Sequence, residues 1–162
     1  MTAFVLNRRN LLVAGGSVLA AGTSGLLLPV RAEGLAPTQS MPGGANNYTK
    51  GAKIVERIGK GGFWMTGTVR RAGDWSPLAG QRVQIWAHTI EGQEHEPQSH
   101  GATLTDKNGV FRLEMPQIIP IFGQPHGHLA YDSGEFKTVF LRPVMRSAKE
   151  TSLEAHFVLQ PV

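Results

Sequence analysis

From Gly62 onward the chain is written in short runs whose apolar residues recur every second position. "VFRLEM" sets Phe111, Leu113 and Met115 against Val110, Arg112 and Glu114. "QRVQIWAH" sets Val83 and Ile85 against Gln84 and Trp86. A period of two is the signature of a strand, because successive side chains point to opposite faces. "FWMTGTVRR", "ATLT", "GHLAYD", "FKTVFLR" and "EAHFVLQ" bring the candidate strands to about seven. Turn-rich segments separate them, such as "GDWSPLAG" (Gly73 to Gly80) and "DKNGVF". In the latter, Asn108-Gly109 reads as a two-residue hairpin turn with positive φ at both central positions. No run has the length or the 3.6-residue period of an ordinary helix. The expected fold is all-β, a single antiparallel β-sandwich of about seven strands over residues 62–162. A chain of 162 residues is long enough for one such core.

The N-terminal third has a different texture. "NRRNLLVAGGSVLAAGTSGLLLPVRA" orders a basic segment with paired Arg8 and Arg9, an apolar Gly/Ala/Leu run, and small residues before Glu33. That order is a secretory signal, and the paired arginines point to the twin-arginine route. Residues 1–32 are read as this leader and the mature protein as periplasmic or extracellular. A retained membrane anchor is the competing reading, and it would be the only membrane contact. Residues 33–61 are rich in Gly, Pro and Asn and read as an extended arm with a helical turn near Ile54–Ile58. Arms of this kind wrap a second copy of the chain, which makes a homo-oligomer an expectation.

Composition narrows the chemistry. The chain carries 16 Lys and Arg against 12 Asp and Glu. Arg8, Arg9 and Arg31 belong to the leader, which leaves 13 basic residues against 12 acidic ones. So near-neutral a domain offers nothing for nucleic acid. There is no cysteine, so any metal must be held by His, carboxylate, Tyr or backbone oxygen. His126 and His128 stand two apart in "PHGHLAYD" and therefore share a strand face. That spacing suits two metal ligands and equally suits two surface histidines on an edge strand. The "AHTIEGQEHEPQSH" connection adds His88, His95, His100, Glu91, Glu94 and Glu96, from which Glu94 or His95 is the candidate third ligand. Trp86, Gln124 and Tyr131 are the candidate substrate contacts around the pair. His156 reads as a partly buried sheet residue. No phosphate loop or nucleophile elbow is present.

The order of "GTV" (Gly67 to Val69), "PLAGQRVQIWAHTIEGQ" (Pro77 to Gln93), "TDKNGVFRLEMP" (Thr105 to Pro116), "QPHGH" (Gln124 to His128) and "FKTVF" (Phe136 to Phe140) resembles the intradiol ring-cleavage dioxygenases, the catechol and protocatechuate 3,4-dioxygenase type. The resemblance covers about half the chain, from Phe63 to Val144. It implies a β-sandwich, a non-haem iron, a small aromatic diol as substrate and O₂ as co-substrate. The family holds its ferric ion with two Tyr and two His. The His-x-His pair carries over to His126 and His128. The tyrosines do not: Glu94 follows Gly92-Gln93 where the first would stand, and Met115 to Gly123 contains none. The family's arginine before the pair is also missing. Two His and one carboxylate form the kind of set that favours Fe(II) and accepts Cu, Zn or Mn. Two further readings stand beside the oxygenase. One is a non-catalytic exported module binding a metal, a carbohydrate or a partner protein. The other is a transthyretin-like carrier sandwich, which leaves the His pair unexplained.

Overall fold

The computed structural model of the chain describes residues 35–162. The leader over 1–32 and the first residues of the arm lie outside them. Seven strands appear where the alternation predicts them: β1 (Phe63–Arg71), β2 (Arg82–Ala87), β3 (His100–Leu104), β4 (Val110–Met115), β5 (Gly127–Tyr131), β6 (Val139–Leu141) and β7 (Ser152–Leu159). They form two packed sheets, ordered β4-β1-β7 and β3-β2-β5-β6. All-β therefore holds, and a single 3-10 turn at Pro97–Ser99 is the only helical element among the described residues.

The sheets are antiparallel apart from one strand pair, and one turn differs from its expected type. β1 and β7 run parallel, Trp64 opposite Ser152 through Arg71 opposite Leu159, so the sandwich is not wholly antiparallel. The Asn108-Gly109 turn is no hairpin of one sheet, because β3 and β4 belong to different sheets. Asp106 organises it instead, accepting from Asn108 N at 2.8 Å and Val110 N at 2.9 Å through Oδ1. Only Gly109 takes positive φ, +72°. An Asx-type turn of this kind lets the chain cross between sheets where a primed turn would have kept it in one.

The inward rows of the two sheets make the core, with Met65, Val69, Leu113 and Phe157 facing Val83, Ile85, Leu129 and Leu141. Each such side chain contributes roughly 1.5–3 kcal/mol of burial. The position that matters for function is the opposite face of β3-β2-β5-β6. Every residue of β2 from Val83 to Ala87 is buried, including the outward Gln84 and Trp86. What covers them is the arm. It joins the sandwich beside β6 and β7, where Thr38 N donates to Val158 O and Met41 N to Phe140 O. It then crosses the outer face and ends along β3, with Val55 N donating to Ala102 O and Ala102 N to Lys53 O. The helical turn expected near Ile54–Ile58 is absent, because those residues are extended and bridge Ala102 and Glu114.

Candidate metal centre

The site grows from sheet register. His100, Trp86 and His128 are directly paired across β3, β2 and β5. Their rings stack in a row, Trp86 on His100 at 5.5 Å and 3°, and on His128 at 5.2 Å and 10°. His126 lies one position before β5, in a bridge to Val144. As the two-residue spacing requires, its ring is on the same face as His128, with centroids 5.1 Å apart. The β2–β3 connection delivers the third group. It is pinned by Ile90 N to Gln117 O and Ile119 N to His88 O, and the Glu96 carboxylate caps Gln93 N. Glu94 Oε2 then lies 3.3 Å from His128 Nε2 and 3.7 Å from His126 Nε2.

Hydrogen bonds decide what these atoms present. His128 Nδ1 faces Gly44 O at 3.1 Å and His126 Nδ1 faces Gln124 O at 2.9 Å. A carbonyl can only accept, so each Nδ1 carries a proton, and in the neutral ring Nε2 presents a lone pair. The Arg142 guanidinium, 3.4 Å from His126 Nδ1, is the longer contact and does not displace that assignment. Burial, the largest influence, holds the His128 imidazole below its ordinary pKa, against the pull of Gly44 O and Glu94. It is therefore neutral at neutral pH. Glu94 Oε1 accepts from Asn47 Nδ2 at 2.6 Å. Glu94 Oε2 and His128 Nε2 are both buried and lack any hydrogen-bond partner, since the 3.3 Å contact joins two acceptors. Buried acceptors turned toward one another are unfavourable unless a cation lies between them. Two imidazole nitrogens and one carboxylate oxygen, mutually within 4.8 Å, suit a first-row divalent ion. A ferric site with two tyrosinates does not fit: Tyr48 donates to Asp132 and Tyr131 lies in the inter-sheet core.

The sequence-derived candidates thus separate. Glu94, His126 and His128 converge. His95, the neighbour of Glu94, points outward and is exposed. Tyr131 is an odd number of residues from His128 and faces the core, so it cannot touch a ligand of the triad. Trp86 is fully buried beneath the arm and bears on the site through His128. Gln124 is exposed, and its carbonyl orients His126. His100 is no ligand; its Nε2 holds the Glu94 carbonyl at 2.8 Å. His156, expected partly buried, is exposed on β7 and bonds Thr68 Oγ1 at 2.9 Å. The residues sequence reasoning missed are Gly44, Asn46 and Asn47. Their one signal is the pair of asparagines inside an otherwise featureless arm.

The phenols give a check on this arrangement. Burial first, and then the hydrogen bond to Asp132, push Tyr48 up to about 12, and burial also raises Tyr131. A titration followed at the tyrosinate absorbance should therefore show a step near pH 12 that Tyr48→Phe removes. A group whose folded pKa is raised stabilises the fold below its unfolded pKa and loses that contribution as pH climbs from about 10 to about 12. Docking of the arm should weaken over that window. A step near pH 10 that disappears in Tyr48→Phe would contradict the placement of Tyr48.

No family model matches the sequence, and no curated protein matches it. Solved structures do. The dioxygenase domain of a dioxygenase carbohydrate-binding protein fusion from Streptomyces sp. SirexAA-E matches with a TM-score of 0.62 at 12% identity, over 78% of this chain and 100% of that one. Hydroxyquinol 1,2-dioxygenase from Pseudomonas putida DLL-E4 matches at 0.58 and 11%, over 78% and 67%. 3-Chlorocatechol 1,2-dioxygenase from Rhodococcus opacus 1CP matches at 0.56 and 14%, over 80% and 73%. These likenesses take in more of the chain than residues 62–162 make up. The chain has the fold of the intradiol ring-cleavage dioxygenases, carried at low identity, together with a Glu94/His126/His128 group that could hold a metal.

Proposed function

We propose that this protein is an exported, metal-dependent oxygenase acting on catechol-type aromatic diols, with Glu94, His126 and His128 as the metal ligands. The observation that carries the reading is the convergence of three acceptors, two of them buried without partners, within a fold shared with catechol and hydroxyquinol dioxygenases. A bound first-row ion, iron by analogy with the fold family and otherwise copper, zinc or manganese, would supply Lewis-acid charge to the diol oxygens and redox access to O₂. The chain's own residues do the positioning. The carbonyls of Gly44 and Gln124 fix both imidazoles as Nδ1–H tautomers and aim Nε2 inward. Trp86 seals the site on its far side and keeps water off His128. Glu94, the ligand with some solvent access, marks the side from which a diol approaches. Gln124, exposed beside His126, is the remaining candidate substrate contact. Export rests on the Arg8-Arg9 leader, which delivers folded proteins with the metal in place.

A second reading, a non-catalytic metal-binding module, is favoured by one observation. The arm lies over the triad, and an open cleft among the described residues lies elsewhere. That cleft, about 590 Å³, runs between Thr49–Gly59 and Pro97–His100, on the other side of Trp86 from His128. Metal analysis of protein exported with its own leader, a visible spectrum, and O₂ uptake with catechol and hydroxyquinol separate the readings. The oxygenase reading expects about one metal per chain, no tyrosinate-to-iron charge-transfer band, and one O₂ consumed per diol. Metal without O₂ uptake leaves the binding module. A chain that takes up no metal overturns both.

A further inference from the structure

Three elements converge on the triad, and one of them is not part of the sandwich. The arm touches the site at two points: Gly44 O accepts from His128 Nδ1, and Asn47 Nδ2 donates to Glu94 Oε1. Next to them, Asn46 O accepts from Trp86 Nε1 at 2.9 Å and Thr49 O from Gln84 Nε2 at 2.7 Å. Each bond fixes an orientation that the sandwich alone leaves free. Without Gly44 O, nothing selects the tautomer that turns the His128 Nε2 lone pair inward. Without Asn47, the Glu94 carboxylate can rotate Oε2 away from two facing lone pairs, which is the direction electrostatics drives it in the absence of a cation. Asn47 is committed to this geometry by its backbone, at φ 56°, a conformation Asn adopts more readily than most residues.

We propose that Asn47 and the Gly44 carbonyl are positioning groups of the triad, so that docking of the arm and binding of a cation are one linked equilibrium. The inference rests on the triad being a cation site. Its physical content is reciprocity. A cation that binds the arm-docked form more tightly holds the arm down by the same factor by which the docked arm raises its affinity. Groups of this outer kind change metal affinity by roughly 10–100-fold when removed. The arm is also fitted closely enough for a small change to lift it. A Cβ on Gly44 would meet the Phe140 backbone carbonyl at 2.9 Å, and backbone cannot swing aside.

The test uses Co²⁺ as the probe on the full chain, with its visible bands reporting the ligand set. Asn47→Gly removes the donor while keeping a backbone that accepts φ 56°. It should weaken Co²⁺ binding roughly 10–100-fold and change the band intensities. Gly44→Ala should weaken it as well. In the wild type, saturating Co²⁺ should slow trypsin cleavage after Lys50 and Lys53, both exposed in the arm, by about tenfold or more. In Asn47→Gly that protection should shrink. If Asn47→Gly lowers thermal stability but binds Co²⁺ with wild-type affinity and spectrum, and Co²⁺ leaves cleavage of the arm unchanged, the linkage is wrong while the triad stands. If the wild type binds no Co²⁺ at all, the triad falls and the inference falls with it.

Discussion

Glu94→Gln is expected to abolish metal binding and, in the same protein, to make the metal-free fold more stable by roughly 1–2 kcal/mol. Both effects come from one atom. In the metal-free wild type, Glu94 Oε2 is buried, unpartnered and 3.3 Å from a neutral Nε2 lone pair. Glutamine keeps an oxygen for Asn47 Nδ2 and turns an amide N–H toward His128 Nε2. A buried charge is removed and two orphaned groups become a hydrogen bond. The same exchange takes away the anionic ligand and leaves a donor where a cation should sit. His128→Ala separates the two effects, since it also removes the metal site but leaves a cavity where a fully buried ring was stacked on Trp86, at a cost of about 2 kcal/mol or more. Metal content per chain and urea midpoints in chelator, at unchanged m, read both quantities. A Glu94→Gln protein that keeps its metal, or whose metal-free form is less stable than the wild type, sinks the assignment of Glu94. A site whose empty form is strained against itself is hard to explain by packing alone and follows directly if the group exists to hold a cation.

The parts of this molecule that were legible in the sequence are those governed by period and parity. Alternation placed seven strands, and the two-residue spacing placed His126 and His128 on one face. Glu94 was reachable because it stands in a loop rich in His and Glu, directly after the Gly92-Gln93 end of a motif that carries the resemblance. Parity also places Tyr131: it is three residues from His128, so strand geometry turns it into the core. What the sequence could not disclose is where a segment without periodicity lies. Residues 35–58 bury only scattered side chains, Ile58 in the core and Val55 against it, so no regular hydrophobic pattern announces that they cross the outer sheet face. Beside the side chains of Asn47 and Tyr48, much of their hold comes from backbone groups, such as Gly44 O, Asn46 O and Thr49 O, which every residue carries and no composition reveals. Trp86 was readable as outward-facing on β2. That outward meant covered depended on the arm. The parallel pairing of β1 with β7 was hidden for a related reason, because the two strands are joined through the whole length of the domain.

Gly67→Ala is expected to destabilise the protein by at least about 3 kcal/mol and to leave little of it folded. Gly67 is in the middle of β1, itself the central strand of its sheet, opposite Phe111 on β4 and Ala155 on β7. A Cβ there would fall 1.6 Å from the Ala155 carbonyl oxygen and 2.6 Å from the Phe111 ring. The ring can rotate. The carbonyl cannot, since it belongs to the backbone of the strand that pairs in parallel with β1. Relief therefore requires β1 and β7 to part, and with them the packing of Phe111 on Phe157, whose rings are 6.3 Å apart. Against a total stability of about 5–15 kcal/mol for a domain of this kind, such a loss is decisive. A urea midpoint within the error of the wild type would show that the two strands can separate without cost. The metal site lies on the outer face of the other sheet, so whatever fraction of Gly67→Ala folds should still bind metal at one ion per chain. That contrast with Glu94→Gln, which should fold and not bind, separates a structural residue of the shared motifs from a ligand residue outside them. Gly67 is needed for the sandwich to close, and its presence in "GTV" says nothing about chemistry. Glu94 joins His126 and His128 in the one group that could hold a metal among the described residues, and the paired loss of metal and gain of metal-free stability is what would mark it as a functional residue.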